Sequence, residues 1–173
     1  MVGVIEVTDQ DTHHIVNVEF HDKALRRGYH FTDHFKYTQA SLGPRGALYA
    51  CSAEPGANSP AQIHYRPFDT WASSTEWSVS LPDGEAPVAI CAGGPAYTKN
   101  GEDDDGPIDS GGSGHVIVAT SRGVVRFWLG TGVQTYVWHI GGEVVAIAAG
   151  EEWVIVVHRE GGTSLDGRCC VTL

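Results

Sequence analysis

Apolar residues fall along this chain in short bursts, and a turn-forming residue closes nearly every burst. Runs rich in Val, Ile, Tyr, Phe and Trp predict strands at Gly3–Val7, Ile15–Phe20, Tyr37–Leu42, Ala47–Cys51, Gln62–Arg66, Glu76–Ser80 and Pro87–Ala92. The pattern continues through His115–Thr120, Val124–Trp128, Val133–Trp138, Glu143–Ala149, Trp153–His158 and Cys169–Leu173. Each run is four to eight residues long, the ordinary length of a strand, and Gly, Pro, Asp or Ser separates most of them. No window of eleven or more residues carries a helical stripe; the best candidate, Thr32–Ala40, is too polar and too short.

The runs repeat. Pro87–Gly93 and Glu143–Gly150 are both apolar segments ending in small residues and Gly, each followed by a Val/Ile-rich strand, His115–Thr120 or Trp153–His158. Tyr37–Gly43 followed by Gly46–Cys51 is a weaker third copy. Gln62–Arg66 and Glu76–Ser80 follow the Tyr37–Cys51 pair, and Val124–Trp128 and Val133–Trp138 follow the Pro87–Thr120 pair, so the unit is four antiparallel strands, a to d. A blade of a β-propeller has this composition. Small residues (Ala89, Ala92, Ala146, Ala148, Ala149) suit the crowded innermost strand, and Trp128, Tyr136 and Trp138 are expected to fill the wedge between blades. The WD dipeptide is absent. A β-sandwich accounts for the strand lengths but not for the four-strand recurrence. The expected fold is therefore all-β, a partial propeller of about three blades occupying residues 1–173 as one domain.

At the ends, Gly3–Val7 and Ile15–Phe20 read as strands c and d of a blade lacking a and b, and Cys169–Leu173 as a strand c without its d. Two segments interrupt the repeat. His21–His34 reads as a linker carrying Arg26, Arg27, His30 and His34; residues 94–114 are Gly-, Ser- and Asp-rich and read as a flexible acidic insertion.

Composition narrows the function. Hydrophobic residues at 42% and charged residues at 18% exclude a disordered tail or a coiled coil. The longest apolar runs, Val144–Gly150 and Trp153–Val157, fall far short of the ~20 residues that cross a bilayer. Met1–Gln10 shows no signal-peptide pattern, so a soluble, intracellular chain is expected. A net charge of −10 argues against a duplex-binding surface, which needs clustered Lys and Arg, and no basic amphipathic stretch suits a membrane surface. Cys51, Cys91, Cys169 and Cys170 form neither a disulfide framework nor a zinc pattern.

Candidate chemistry is sparse. His30-x-x-x-His34 with Asp33 has a metal-like spacing, but that spacing aligns ligands only on a helix. The acidic run 102–109 lacks the alternation and closing Glu of a calcium loop. His158, Ser164 and Asp166 evoke a hydrolase, yet no nucleophile elbow surrounds the serine, and Gly161–Gly167 reads as a tight turn. Arg159 and Glu160 read as a structural ion pair. No catalytic, cofactor-binding or metal-binding residue is assigned, and no cofactor is expected. A small β-sandwich hydrolase or binding module is the alternative.

Val116-Ile-Val-Ala-Thr-Ser-Arg-Gly-Val-Val-Arg-Phe-Trp128, Gly141-Gly-Glu-Val-Val145 and Trp153-Val-Ile-Val-Val-His-Arg-Glu-Gly-Gly-Thr-Ser-Leu-Asp-Gly167 carry a resemblance. So do Val18-Glu-Phe-His-Asp22, Gly43-Pro-Arg-Gly-Ala-Leu48 and Trp71-Ala-Ser73. They resemble the middle propeller of the chromosome transmission fidelity factor four / SepB family of replisome adaptors, whose animal member is the acidic nucleoplasmic DNA-binding protein. The resemblance covers essentially the whole chain except the acidic insertion and implies a nuclear, non-enzymatic scaffold linked to DNA replication and sister-chromatid cohesion. It implies a six-bladed propeller that trimerises. It also implies docking of DNA polymerase alpha and the helicase-associated GINS complex through a helical domain that this chain does not contain.

Overall fold

The computed structural model describes residues 2–24, 26–54, 59–68, 76–95, 114–159 and, for the backbone alone, 169–172. Among the described residues fourteen strands form four antiparallel sheets in chain order. The first holds β1 (Gly3–Asp9), β2 (His14–Phe20) and β3 (Tyr29–Asp33). The second holds β4 (Gln39–Leu42), β5 (Gly46–Cys51), β6 (Gln62–Pro67) and β7 (Trp77–Ser80). The third holds β8 (Pro87–Gly93), β9 (His115–Thr120), β10 (Val124–Leu129) and β11 (Gln134–His139). The fourth holds β12 (Val144–Ala149), β13 (Val154–Arg159) and β14 (Cys169–Thr172). In each sheet consecutive strands are neighbours, the up-and-down meander of a propeller blade. The all-β, partial-propeller expectation holds.

Three apolar cores lie between successive blades. Val16, Val18 and Phe20 meet Tyr37, Ala47 and Tyr49 at the first interface. Leu48, Ile63 and Tyr65 meet Val116, Val118 and Trp128 at the second, and Ile117 and Val125 meet Val144 and Val156 at the third. Because side chains alternate along a strand, the middle blades are buried on both faces, and β5 is buried at every position. The small residues do line the inside: β8 touches both β4 and β12, and the Ala92 amide donates to Ser41 Oγ across 3.1 Å. The repeat extends to defects. Both β8 and β12 bulge at their second residue, and the two bulged valines, Val88 and Val145, are exposed.

Three details differ from the sequence expectation. The segment 21–34 is no mere linker, because Tyr29–Asp33 is a strand pairing with β2, so the first blade carries three strands and lacks one rather than two. The aromatic side of that strand, Tyr29 and Phe31, packs on the first core. The next strand begins at Gln39 instead of Tyr37, since Asp33 folds residues 34–38 into a turn by accepting the amides of Phe35 (2.9 Å) and Tyr37 (2.7 Å). Lys36 takes a left-handed φ of 52° there. Tyr136 is 60% exposed and stands outside the wedge, whereas Trp128 is buried in it. Arg159 pairs with Glu143 at 2.8 Å, on the connection from the preceding blade, and its neighbour Glu160 lies outside the described residues.

Candidate interaction surface

Alternating strand direction sends the a–b and c–d connections to one end of the molecule and the b–c and d–a connections to the other. Hydrogen bonds stitch each end across blades. At the first end Arg26 donates to the Pro44 carbonyl (2.7 Å) and Arg45 to that of Pro95 (2.8 Å). There, too, Trp77 Nε1 donates to the Gly130 carbonyl (2.8 Å) and the Gly94 amide to that of Gly150 (3.1 Å). At the other end Arg122 donates to the Gly84 carbonyl and Lys36 to that of Asp11.

Two polar clusters lie between blades. Tyr29 and Tyr49 share a hydroxyl–hydroxyl bond of 3.3 Å, the Arg66 guanidinium lies 4.0 Å from the Tyr29 ring centroid, and Arg66 pairs with Glu76 at 3.1 Å. His64 stacks beside Tyr37 and Tyr49 and bonds the Ser78 hydroxyl at 2.9 Å. Burial pushes the phenols of Tyr29, Tyr37 and Tyr49 up and the His64 imidazole down, so at neutral pH the cluster holds neutral rings around one ion pair. In the second cluster Arg126 on β10 grips Glu85 with both nitrogens, at 2.7 and 3.0 Å, where both side chains are largely buried. The guanidinium holds the Glu85 carboxyl below the usual glutamate range, against the opposite push of burial.

The residues singled out from sequence do not converge. His30 and Asp33 take opposite faces of β3, since His30 lies opposite Asn17 and Asp33 opposite His14. His34 lies against His13 with the rings tilted at 49° and their centroids 5.8 Å apart. Asp33 is a turn-former with its side chain fully buried, and the His14 imidazole lies between it (3.6 Å) and Asp9 (3.3 Å). Among the described residues no group of three His, Cys, Asp or Glu side chains is disposed around one metal-sized space. His158 lies opposite Val144 and Cys170 in its sheet; Ser164, Asp166, Glu160 and the acidic run 102–109 lie outside the described residues. The insertion leaves and re-enters the blade through abutting backbone: a Cβ on Gly94 would meet the Gly114 Cα at 3.0 Å.

One cavity with a chemical bias had only a faint signal in the sequence. A cavity of about 360 Å³ opens beside the β2–β3 connection, walled by Asn17, Glu19, Lys23, Arg27, Tyr29 and His30 among others. Its sequence signal was the cluster Lys23, Arg26, Arg27 in a chain with only 11 basic residues.

The same blade-by-blade sequence runs through known proteins. All of residues 1–173 match the family described as "Minichromosome loss protein, Mcl1, middle region". The chain belongs to this family. The human WD repeat and HMG-box DNA-binding protein 1 is 32% identical over 171 residues, covering 98% of this chain and 13% of that protein. Minichromosome loss protein 1 of Schizosaccharomyces pombe is 33% identical over 172 residues, 96% of this chain and 18% of its own length. The DNA polymerase alpha-binding protein of Saccharomyces cerevisiae is 30% identical over 91 residues, 53% of this chain and 9% of that protein. The chain thus spans less than a fifth of each of these curated relatives. Among solved structures, BBS1N in complex with ARL6DN aligns at a TM-score of 0.47 and 15% identity, over 96% of this chain and 48% of that one. The family resemblance drawn on Val116–Gly167 is borne out.

Proposed function

We propose that this Mcl1 middle-region chain is a non-enzymatic scaffold segment of a nuclear replication adaptor, serving protein–protein contact and self-association. The observation that carries the reading is family membership along the whole chain, together with a relative named for binding DNA polymerase alpha. The blades supply broad, rigid faces and loop ends for docking. Contact with DNA polymerase alpha or the GINS complex belongs to parts of the adaptor outside this chain, and trimerisation and a role in cohesion belong to the intact protein. Direct duplex binding is not part of this segment's role, given the net charge of −10.

Size-exclusion chromatography with light scattering, over a hundredfold range of concentration, tests the self-association. The expected result is a mass that grows with concentration. The terminal blades each turn one face away from the other three, and the fourth turns out Ala146 and Ala148, which are exposed. A sharp monomer at every concentration would overturn the scaffold reading in favour of a self-contained module.

A further inference from the structure

We propose that the cavity at the β2–β3 connection binds a phosphorylated side chain of a partner peptide, with Arg27, Lys23 and His30 as its phosphate-binding groups. The first observation is an unused charge. Among the described residues, the other Lys and Arg side chains have acceptors within the protein: Arg26 and Arg45 on carbonyls, Lys36 on the Asp11 carbonyl, and Arg122 on that of Gly84. Arg66, Arg126 and Arg159 are spent on Glu76, Glu85 and Glu143. Lys23 and Arg27 have no such partner, and both line the cavity with His30.

The second observation is that the loop presenting them is held. The His21 amide donates to the Val2 carbonyl (3.2 Å), that of Ala24 to Asp22 Oδ1 (3.0 Å) and that of Arg26 to the Asp22 carbonyl (3.1 Å). The Arg26 guanidinium is fixed on the Pro44 carbonyl and lies 4.8 Å from the Phe68 ring centroid. Gly28 then brings the backbone so close to β2 that a Cβ would come within 2.7 Å of the Val18 carbonyl. Arg27 therefore sits between two anchored residues, and little ordering is left to do on binding.

The shape and charge choose the ligand. A cavity of about 360 Å³ takes one side chain, not a duplex, and a chain of net charge −10 repels a polyanion at long range. Three separate cationic or hydrogen-bonding groups match the three oxygens of a phosphomonoester better than the two of a carboxylate. Glu19 on the same wall favours a compact dianion held at the Lys23–Arg27 side over a run of acidic residues. This names a ligand class for the adaptor reading and rests on it only for the partner being a protein.

The test is fluorescence anisotropy on the full chain with a labelled peptide mixture degenerate around a fixed phosphoserine. Its unphosphorylated and Ser→Asp counterparts, inorganic phosphate as competitor and a 20-base-pair duplex complete the set. Saturable binding of the phosphopeptide alone is expected, weakened at least tenfold by Arg27→Gln or Lys23→Gln and largely retained by Lys23→Arg. Both exposed positions should leave the far-ultraviolet spectrum and the melting curve unchanged. Equal binding of the unphosphorylated, Asp or duplex probes would overturn the proposal. So would affinity indifferent to Arg27→Gln, inorganic phosphate competing as tightly as the peptide binds, or no binding at all. None of those failures bears on self-association, which the light-scattering experiment reads separately.

Discussion

Removing the Arg126 guanidinium should expose how much the second blade interface depends on one ion pair. Arg126→Met leaves the Glu85 carboxylate with its side chain 8% exposed and without its two 2.7–3.0 Å donors. At an effective dielectric of about 20, unit charges ~4 Å apart attract by about 4 kcal/mol. Breaking one side of a buried pair typically costs 3–5 kcal/mol, so a loss of about 3 kcal/mol is expected for Arg126→Met. Glu85→Gln should cost about 2 kcal/mol, and the double variant about as much as Arg126→Met alone. The coupling is then about 2 kcal/mol. Urea unfolding followed by tryptophan fluorescence reads the Arg126→Met loss as a midpoint shift of about 1.5 M, for a slope of ~2 kcal/mol per molar.

The pH dependence supplies a second reading of the same pair. Folding lowers the Glu85 pKa, so its contribution is complete above the ordinary value of 4.5 and disappears as the pH falls through the depressed folded value. Without Arg126, only the Thr120 hydroxyl and the charge of Arg122 still oppose burial, so the folded value rises relative to the native chain. The variant should then gain stability on acidification relative to the native chain, and the difference between the two curves should shrink below pH 4.5. A coupling under about 0.5 kcal/mol, or two parallel pH curves, would refute the reasoning.

Three further outcomes are expected. His64 is buried neutral with a lowered pKa, so the unfolded chain takes up its proton first and stability falls as the pH drops below 6.5; His64→Phe should flatten that slope in melts between pH 7.5 and 5. Asp33→Ala strands the buried amide of Tyr37 and the amide of Phe35, and should cost about 2–3 kcal/mol in urea, with Asp33→Asn recovering part of it. Gly46→Ala places a methyl against the Tyr65 ring inside the second blade, and thermal unfolding should show a loss of about 1–3 kcal/mol without change of fold.

The strand grammar was legible because a buried blade writes itself twice, once in apolar alternation and once in recurrence. Even the shared bulge at Val88 and Val145 lies at equivalent places in the two segments that first showed the repeat. Tyr29–Asp33 escaped because His30, Thr32 and Asp33 make it look polar; its strand character comes from Tyr29 and Phe31 meeting Tyr49 and Phe20, which is tertiary information. Asp33, which stands beside the metal-like His30/His34 spacing, serves instead as a turn-former, since a short carboxylate accepts two amides at once. The cavity was half visible as a basic cluster, but which of two adjacent arginines is free depends on the Pro44 carbonyl and the Phe68 ring, both distant in sequence.

Among the described residues the three apolar cores each join one blade to the next in the chain, and this has a consequence for how the molecule comes apart. Its stability is a sum over three seams in series, closer to a short stack of plates than to a single globule. In such a stack the outermost plates, β1–β3 and β12–β14, are each fastened along one side only, while β4–β11 is clamped on both. Amide exchange should therefore be slowest in β5 and β9, at the centre of the stack, and quicken toward either end. A further plate added at either end would stiffen its neighbour before it stiffened anything else.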